Sequence, residues 1–306
     1  MGSTSVDLGF FDDDFDQWEL ESRYFPSKIG GKPAWLDLQN LPSSSEMQCS
    51  YCTSPLKFLL QLYSPDSMHQ FAFHRTLFMF ICTNSSCWSK GNPPVIVFRC
   101  QLARENPYYP KEAPEDHPKW RPDILIGKHC PVCAVCGARG DKRCGRCKGV
   151  SYCSEQHQRS DWKSGHKSNC REGAVYNGSS VQWSLKEGIM EREEEPEREG
   201  SPDLVERKKY ENLVGGIETE GLGVGNEEWD EIESGQDVDK TCDKFRDRIR
   251  RAPDQILRYE RRGKPLLCAA SPPLKPPSNC TCGSKRSFEF QVTSETEVCI
   301  YNKYNF

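Results

Sequence analysis

The sequence has no long apolar run. Its longest, such as FLLQLY and TLFMFIC, fall far short of the roughly 20 residues that cross a bilayer, so no membrane span is expected. The N-terminus is acidic, without a basic flank or signal-like apolar stretch, and Val6 stands where a myristoylation signal has Ser or Thr. Neither secretion nor a lipid anchor is therefore expected. Apolar residues are sparse, at 36% against 28% charged with a mean hydropathy of -0.75, which predicts folded pieces separated by solvated linker. A P-loop and a dinucleotide fingerprint are also missing, and no other catalytic set stands out.

Cysteine, by contrast, is abundant. Seventeen cysteines in a chain expected to stay in a reducing compartment call for metal rather than disulfides. They fall in short pairs, Cys49/Cys52, Cys82/Cys87, Cys133/Cys136, Cys144/Cys147 and Cys280/Cys282, as zinc knuckles do. The densest stretch, CAVCGARGDKRCGRCKGVSYCSEQHQRSDWKSGHKSNC, adds Cys153/His157 and His166/Cys170, giving eight donors for two tetrahedral zinc sites. Cys130 also stands in register with Cys133, so the first pair is ambiguous at this stage. Ser154 is placed to cap a short helix carrying His157, and Gly165 to interrupt it before His166. In so short a segment the metal must supply most of the folding free energy, on the order of 10 kcal/mol. Saturated sites leave no open position for water, which argues against metal-assisted hydrolysis.

Charge is segregated. Residues 186–240 hold 7 basic and 19 acidic side chains, a net of -12, and residues 128–171 hold 10 and 3, a net of +7. The acidic stretch lacks a sustained apolar period and reads as disordered. Upstream, residues 1–23 read as an acidic lead-in, Gly30-Gly31 as a fixed turn, and Phe25 and Trp35 as core anchors. Strands are expected over Leu56–Tyr63, Phe71–Ile81, Val95–Leu102 and Ser287–Val292. Asp243–Arg262 reads as a helix with Phe245, Ile249 and Ile256 or Leu257 on one stripe, broken by Pro253. An antiparallel hairpin would bring Cys49 and Cys52 beside Cys82 and Cys87, which is zinc-ribbon logic for a third ion. His74, inside a strand, is expected to be a core residue rather than a ligand. Cys280-x-Cys282 has no clear partner pair.

The finger resembles the MYND zinc finger. The resemblance implies a cross-brace, with Cys133, Cys136, Cys153 and His157 on one zinc and Cys144, Cys147, His166 and Cys170 on the other. It implies docking of short proline-containing peptides, with Gln158 and Trp162 lining the peptide groove; packing between zinc lobes is the competing role for Trp162. Pro272-Pro273-Leu274-Lys275-Pro276 fits the P-x-L-x-P pattern of such peptides and could dock in the same chain or be an ordinary linker. The finger's ligand pattern is not that of a base-reading finger, which argues against nucleic acid.

Three blocks, YFPSKIGGKPAWLDLQNLP with CSYC, the finger with HQRSDWKSGHK, and DQILRYERRGKPL with CTCGSKRSFEFQV, together resemble the programmed cell death protein 2 family. The resemblance implies an α+β, mainly β fold: an antiparallel β body with an inserted MYND finger and a disordered acidic linker. The expected domains are an N-terminal β domain with zinc knuckles (8–102), a Pro-rich extended connector (103–127), the finger (130–171), the acidic linker (172–242) and a C-terminal domain (243–306). The last departs from relatives after FEFQV and reads as cut short. The implied function is non-enzymatic: an adaptor or dedicated chaperone for a basic small-subunit ribosomal protein of the S-two type, in cytoplasm and nucleus, supporting ribosome biogenesis. The alternative is a MYND-mediated adaptor in transcriptional or cell-death regulation.

Overall fold

The computed structural model describes residues 5–90, 94–171, 183–196, 240–269 and 277–293. Among them run ten strands: β1 (Asp7–Asp12), β2 (Lys28–Ile29), β3 (Lys57–Tyr63), β4 (His74–Ile81), β5 (Val95–Leu102), β6 (Lys142–Arg143), β7 (Ser151–Tyr152), β8 (Gly188–Glu194), β9 (Leu257–Tyr259) and β10 (Phe290–Val292). Helices are few and short: α1 (Ser85–Trp88), α2 (Glu155–Asp161), α3 (Lys167–Asn169) and α4 (Lys240–Arg250). The β1–β9, β9–β10, β2–β3, β2–β8, β3–β4, β4–β5 and β6–β7 pairings are antiparallel, so the class is mainly β, as the sequence implies. The chain divides into two compact units, Phe11–Glu191 with Glu297–Phe306, and Met1–Phe10 with Arg192–Thr296. No helix among the described residues is long and apolar enough to cross a membrane.

In the larger unit, β3 pairs with β4, and β4 with β5 over all eight residues, from His74↔Leu102 to Ile81↔Val95. KFLLQLY is covered on both faces, so its buried residues run continuously instead of alternating. Strand β4 begins three residues later than expected, because Gln70–Ala72 form a 3₁₀ turn that leaves Phe71 76% exposed. Short β2 pairs with β3 on one side and β8 on the other, where Lys28 meets Ile189 across 161 residues of chain. This strand corrects the acidic linker. Residues 183–196 are ordered because Gly188 and Met190 turn inward while Glu191, Glu193 and Glu194 face out, an alternation hidden by the acidic composition.

Gly30 and Gly31 make that closure possible. Both adopt left-handed conformations, φ 63° and 64°, and a Cβ on Gly30 would sit 1.9 Å from the Lys186 carbonyl oxygen. Gly30→Ala is expected to cost more than about 2 kcal/mol in a urea unfolding curve, since it adds a backbone clash to an unfavourable φ.

The stretch 103–127 lacks regular structure up to Leu125, as expected, but it is not a free spacer. Tyr108 and Tyr109 are buried, Tyr109 donating to the Leu36 carbonyl at 2.9 Å and Tyr108 to the Asp37 carboxylate at 2.9 Å. Arg23, itself buried, donates to the carbonyls of Trp120 and Pro118. Side chains thus satisfy an irregular backbone that has no ladder of its own. Trp35 is 4% exposed and is a core anchor as expected; Phe25 is half-buried and stacks on His74 at 4.4 Å.

His74 is a core residue, its Nδ1 within 2.9 Å of the Tyr63 hydroxyl. Burial, and then Arg104, push its pKa down to about 4. A histidine depressed below its unfolded value near 6.5 contributes fully above that pH and costs about 1.4 kcal/mol per unit as pH falls toward 4. At saturating zinc, unfolding midpoints are expected to drop between pH 6.5 and 5, and less so in His74→Asn.

In the smaller unit β9 lies between β1 and β10, with Asp7↔Tyr259 and Phe290↔Tyr259 in register. Two expectations change here. The acidic lead-in contains β1, because DLGFFD buries Leu8 and Gly9. The helix expected over Asp243–Arg262 is α4 alone: it ends at Arg250, before Pro253, and Leu257 joins β9 with Ile256 just ahead of it instead of sharing the stripe. The last strand is shorter than Ser287–Val292. The P-x-L-x-P segment lies outside the described residues.

Candidate metal centres

Three short turns in the larger unit are built alike. Cys49-x₂-Cys52, Cys133-x₂-Cys136 and Cys144-x₂-Cys147 are each followed by a left-handed residue, Thr53 (φ 57°), Gly137 (φ 73°) and Lys148 (φ 55°). The N–H of that residue returns to the carbonyl of the first cysteine at 2.9 Å in all three. A second bond closes each loop, from the N–H of the first cysteine to Ser54, Ala138 and Val150. Such a turn points two sulfurs to one side and sets backbone N–H groups around them.

The partners of these turns arrive from elsewhere in the fold. The β3–β4 pairing brings Cys82 and Cys87, the latter on α1, to Cys49 and Cys52. The Ser154 hydroxyl accepts from the His157 N–H and starts α2, which carries His157 one turn in. Beyond α2 the chain passes a wide turn at Gly165 (φ 153°) and presents His166 and Cys170. Two tetrads form in the finger, Cys133/Cys136/Cys153/His157 and Cys144/Cys147/His166/Cys170, and one in the β body, Cys49/Cys52/Cys82/Cys87. In each, all donor atoms lie within 4.8 Å of one another.

The donor spacing fits zinc. A tetrahedral centre with bonds near 2.3 Å separates its sulfurs by about 3.8 Å, far from the roughly 2.05 Å of a disulfide. Cys136 and Cys153 are 3.6 Å apart, Cys52 and Cys82 3.7 Å, and Cys144 and Cys170 3.8 Å. His157 turns Nδ1 toward Cys133 and Cys153 (3.6 and 3.1 Å), while His166 turns Nε2 toward Cys147 (3.5 Å). The donor thiols divide: hydrogen bonds lower Cys52, Cys133 and Cys144, while burial raises Cys82, Cys87 and Cys170. Hydrogen bonds from the Ser54 side chain and backbone bring Cys52 down to about 6. Burial raises Cys144, but the Cys147 N–H, the His166 ring and the Arg146 N–H outweigh it and bring it to about 6.

The finger is seated on the β body. The Trp35 indole donates to the Gly137 carbonyl at 2.7 Å, and Lys32 Nζ to the Ala134 carbonyl at 2.6 Å. Burial lowers the Lys32 pKa, against the pull of Cys133, Cys136, Asp161 and Glu187 around it. Trp183, in the segment leading to β8, lies edge-on to His157 at 4.2 Å, so packing helps orient that ring. Trp35, Trp183 and the tetrad cysteines belong to one continuous core. Lys32 and Trp183 carry no signature in the sequence, because nothing local marks a residue whose role is to contact a distant knuckle.

Cys130 is buried with its sulfur 3.6 Å from the Pro131 carbonyl, outside both finger tetrads. Gln158 and Trp162 are half-buried one turn apart on α2 and at its end, and the Trp162 ring packs at 5.7 Å from His166. Cys280 and Cys282 form a similar turn closed at Gly283 (φ 85°), yet no third donor joins them among the described residues.

Cross-braced tetrads of this kind define a zinc-finger protein of the MYND class, and residues 133–170 match the MYND finger family. Residues 5–116 and 239–303 match the N-terminal domain and the C-terminal putative domain of programmed cell death protein 2. The chain is 37% identical over 296 residues to rat programmed cell death protein 2, covering 94% of this chain and 83% of that one, and equally identical to the bovine protein over 297 residues. The human programmed cell death protein 2-like is 25% identical over 289 residues, 87% of this chain and 76% of that one. The chain belongs to the programmed cell death protein 2 family. A ubiquitin carboxyl-terminal hydrolase from Arabidopsis thaliana shares 59% identity over only 39 residues, 6% of its length, which transfers none of its chemistry. No solved structure matches.

Proposed function

We propose that this protein is a non-enzymatic adaptor or dedicated chaperone for a basic small-subunit ribosomal protein of the S-two type, acting in cytoplasm and nucleus in support of ribosome biogenesis. The observation that carries the reading is the fusion of the finger to the β body through Trp35 and Lys32. It makes one rigid protein-binding platform out of donors that are all committed to metal. Saturated tetrads hold structure and leave no position for a reacting water. The net charge of -12 over 186–240 suits a strongly basic client. Co-expression with the ribosomal protein and capture of the zinc-loaded full chain tests it: a stoichiometric soluble complex is expected. Client that aggregates equally with and without this protein would end the proposal.

A second reading, peptide docking by the finger in transcriptional or cell-death regulation, is favoured by the partial exposure of Gln158 and Trp162 on one face of α2. Trp162→Ala is expected to abolish NMR shifts on titrating a P-x-L-x-P peptide into the full chain while keeping the zinc count. Unchanged shifts would dismiss that groove.

A further inference from the structure

The smaller unit holds a cavity of about 380 Å³ whose walls are strongly basic. Lys244 and Arg248 come from α4, Arg258 and Glu260 from β9 and its end, and Arg262 and Lys264 from the turn that follows. The Glu195 carboxylate lies with Arg248 and with buried Arg258, 2.6 Å from the latter, whose other nitrogen donates to Gln255 at 2.6 Å. Counting Glu195 with Glu260, five cations still exceed the carboxylates by three. Lys244, Arg262 and Lys264 have no side-chain ion pair or hydrogen bond among the described residues. Burial first, then neighbouring arginines, lower the pKa of Arg248 and Arg258. Arg262 holds a left-handed backbone (φ 65°), its N–H fixed on the Phe288 carbonyl at 2.9 Å, so the turn that displays it is locked.

We propose that this cavity is a binding site for carboxylate-rich peptide, with the acidic stretch of this same chain as its first occupant. The chemistry is already on display: Glu195, at the head of that stretch, is held by two of the cavity's arginines. Residues 197–239 follow with 14 acidic and 4 basic side chains, and the chain re-enters at α4, whose Lys244 lines the cavity. Both ends of the stretch are therefore fastened at the site, which gives an effective concentration in the millimolar range for short spans. A nucleic-acid groove would add successive aromatic platforms for bases, and this cavity offers one ring, Phe288.

The test uses a fluorescein-labelled peptide of residues 226–239, which carries seven carboxylates and no basic residue. It is titrated into the zinc-loaded full chain, into a variant with 197–239 replaced by a Gly-Ser linker of equal length, and into that variant with Lys244→Glu and Arg262→Glu. The linker variant is expected to bind, with a loss of at least tenfold on the double substitution and again between 50 and 300 mM salt. Full chain binding at least tenfold more weakly than the linker variant supports occupancy in cis; equal binding overturns it. A folded linker variant that ignores the peptide, affinity unmoved by the double substitution, or tighter binding of oligouridylate than of peptide each overturns the proposal. If the linker variant does not fold, the full chain with its seven carboxylates at 226–239 converted to amides takes its place.

Discussion

Replacing Cys144 by serine is expected to release one zinc ion from the protein and unfold the second half of the finger. Cys144 is 3% exposed, 3.8 Å from Cys170, and supplies the carbonyl and N–H that close its own turn. Without its sulfur the remaining donors lose most of a contribution on the order of 10 kcal/mol. Native mass spectrometry should count three ions in the parent protein and two in Cys144→Ser. Cys82→Ser should likewise give two, with damage confined to the β3–β4 end of the body. Cys130→Ser, changing a buried thiol outside the tetrads, should keep all three. A count of three in Cys144→Ser would remove the second tetrad from consideration, and a count of two in Cys130→Ser would return that cysteine to the ligand set.

The second large effect belongs to Trp35→Ala, expected to cost about 3–5 kcal/mol in global stability. The ring packs at 4.7 Å from Phe78 and 5.8 Å from Phe80, and its N–H ties the β body to the finger at Gly137. Truncation opens a cavity in the shared core and leaves a buried carbonyl unpaired. Trp35→Phe keeps much of the packing and should cost less, with the lost hydrogen bond accounting for about 1 kcal/mol of it. Denaturant unfolding at saturating zinc separates the two variants. A loss under 1 kcal/mol for the alanine variant would mean that finger and body do not share a core.

The parts legible in the sequence were those with local signatures. The finger's pairs, the Ser154 cap and the Gly165 interruption all act within one or two turns of chain, so spacing alone placed them. Runs such as KFLLQLY announced β3 by composition. What stayed hidden was pairing at a distance. Strand β8 is camouflaged by glutamates that face solvent, β1 by aspartates on either side of a short apolar stretch, and β9 by a helical period that Pro253 brings to an end. The contacts of Lys32 and Trp35 to the finger carry no pattern at all, since their partners are backbone carbonyls about 100 residues away.

The pairing of β2 with β8 also sets a timetable for biosynthesis. Lys28 leaves the ribosome long before Ile189, while the β3–β4–β5 meander and the finger complete their contacts within the intervening chain. Local units form ahead of distant ones, because loop closure must precede any reward from a remote contact. Metal capture by the tetrads can therefore be finished while β2 still has one open edge, and the late arrival of Gly188 and Ile189 covers it. A nascent chain halted before residue 188 would carry its zinc and yet expose an unpaired strand edge, the kind of surface that draws aggregation. For this protein the vulnerable interval in the cell is the synthesis of the segment between the finger and β8.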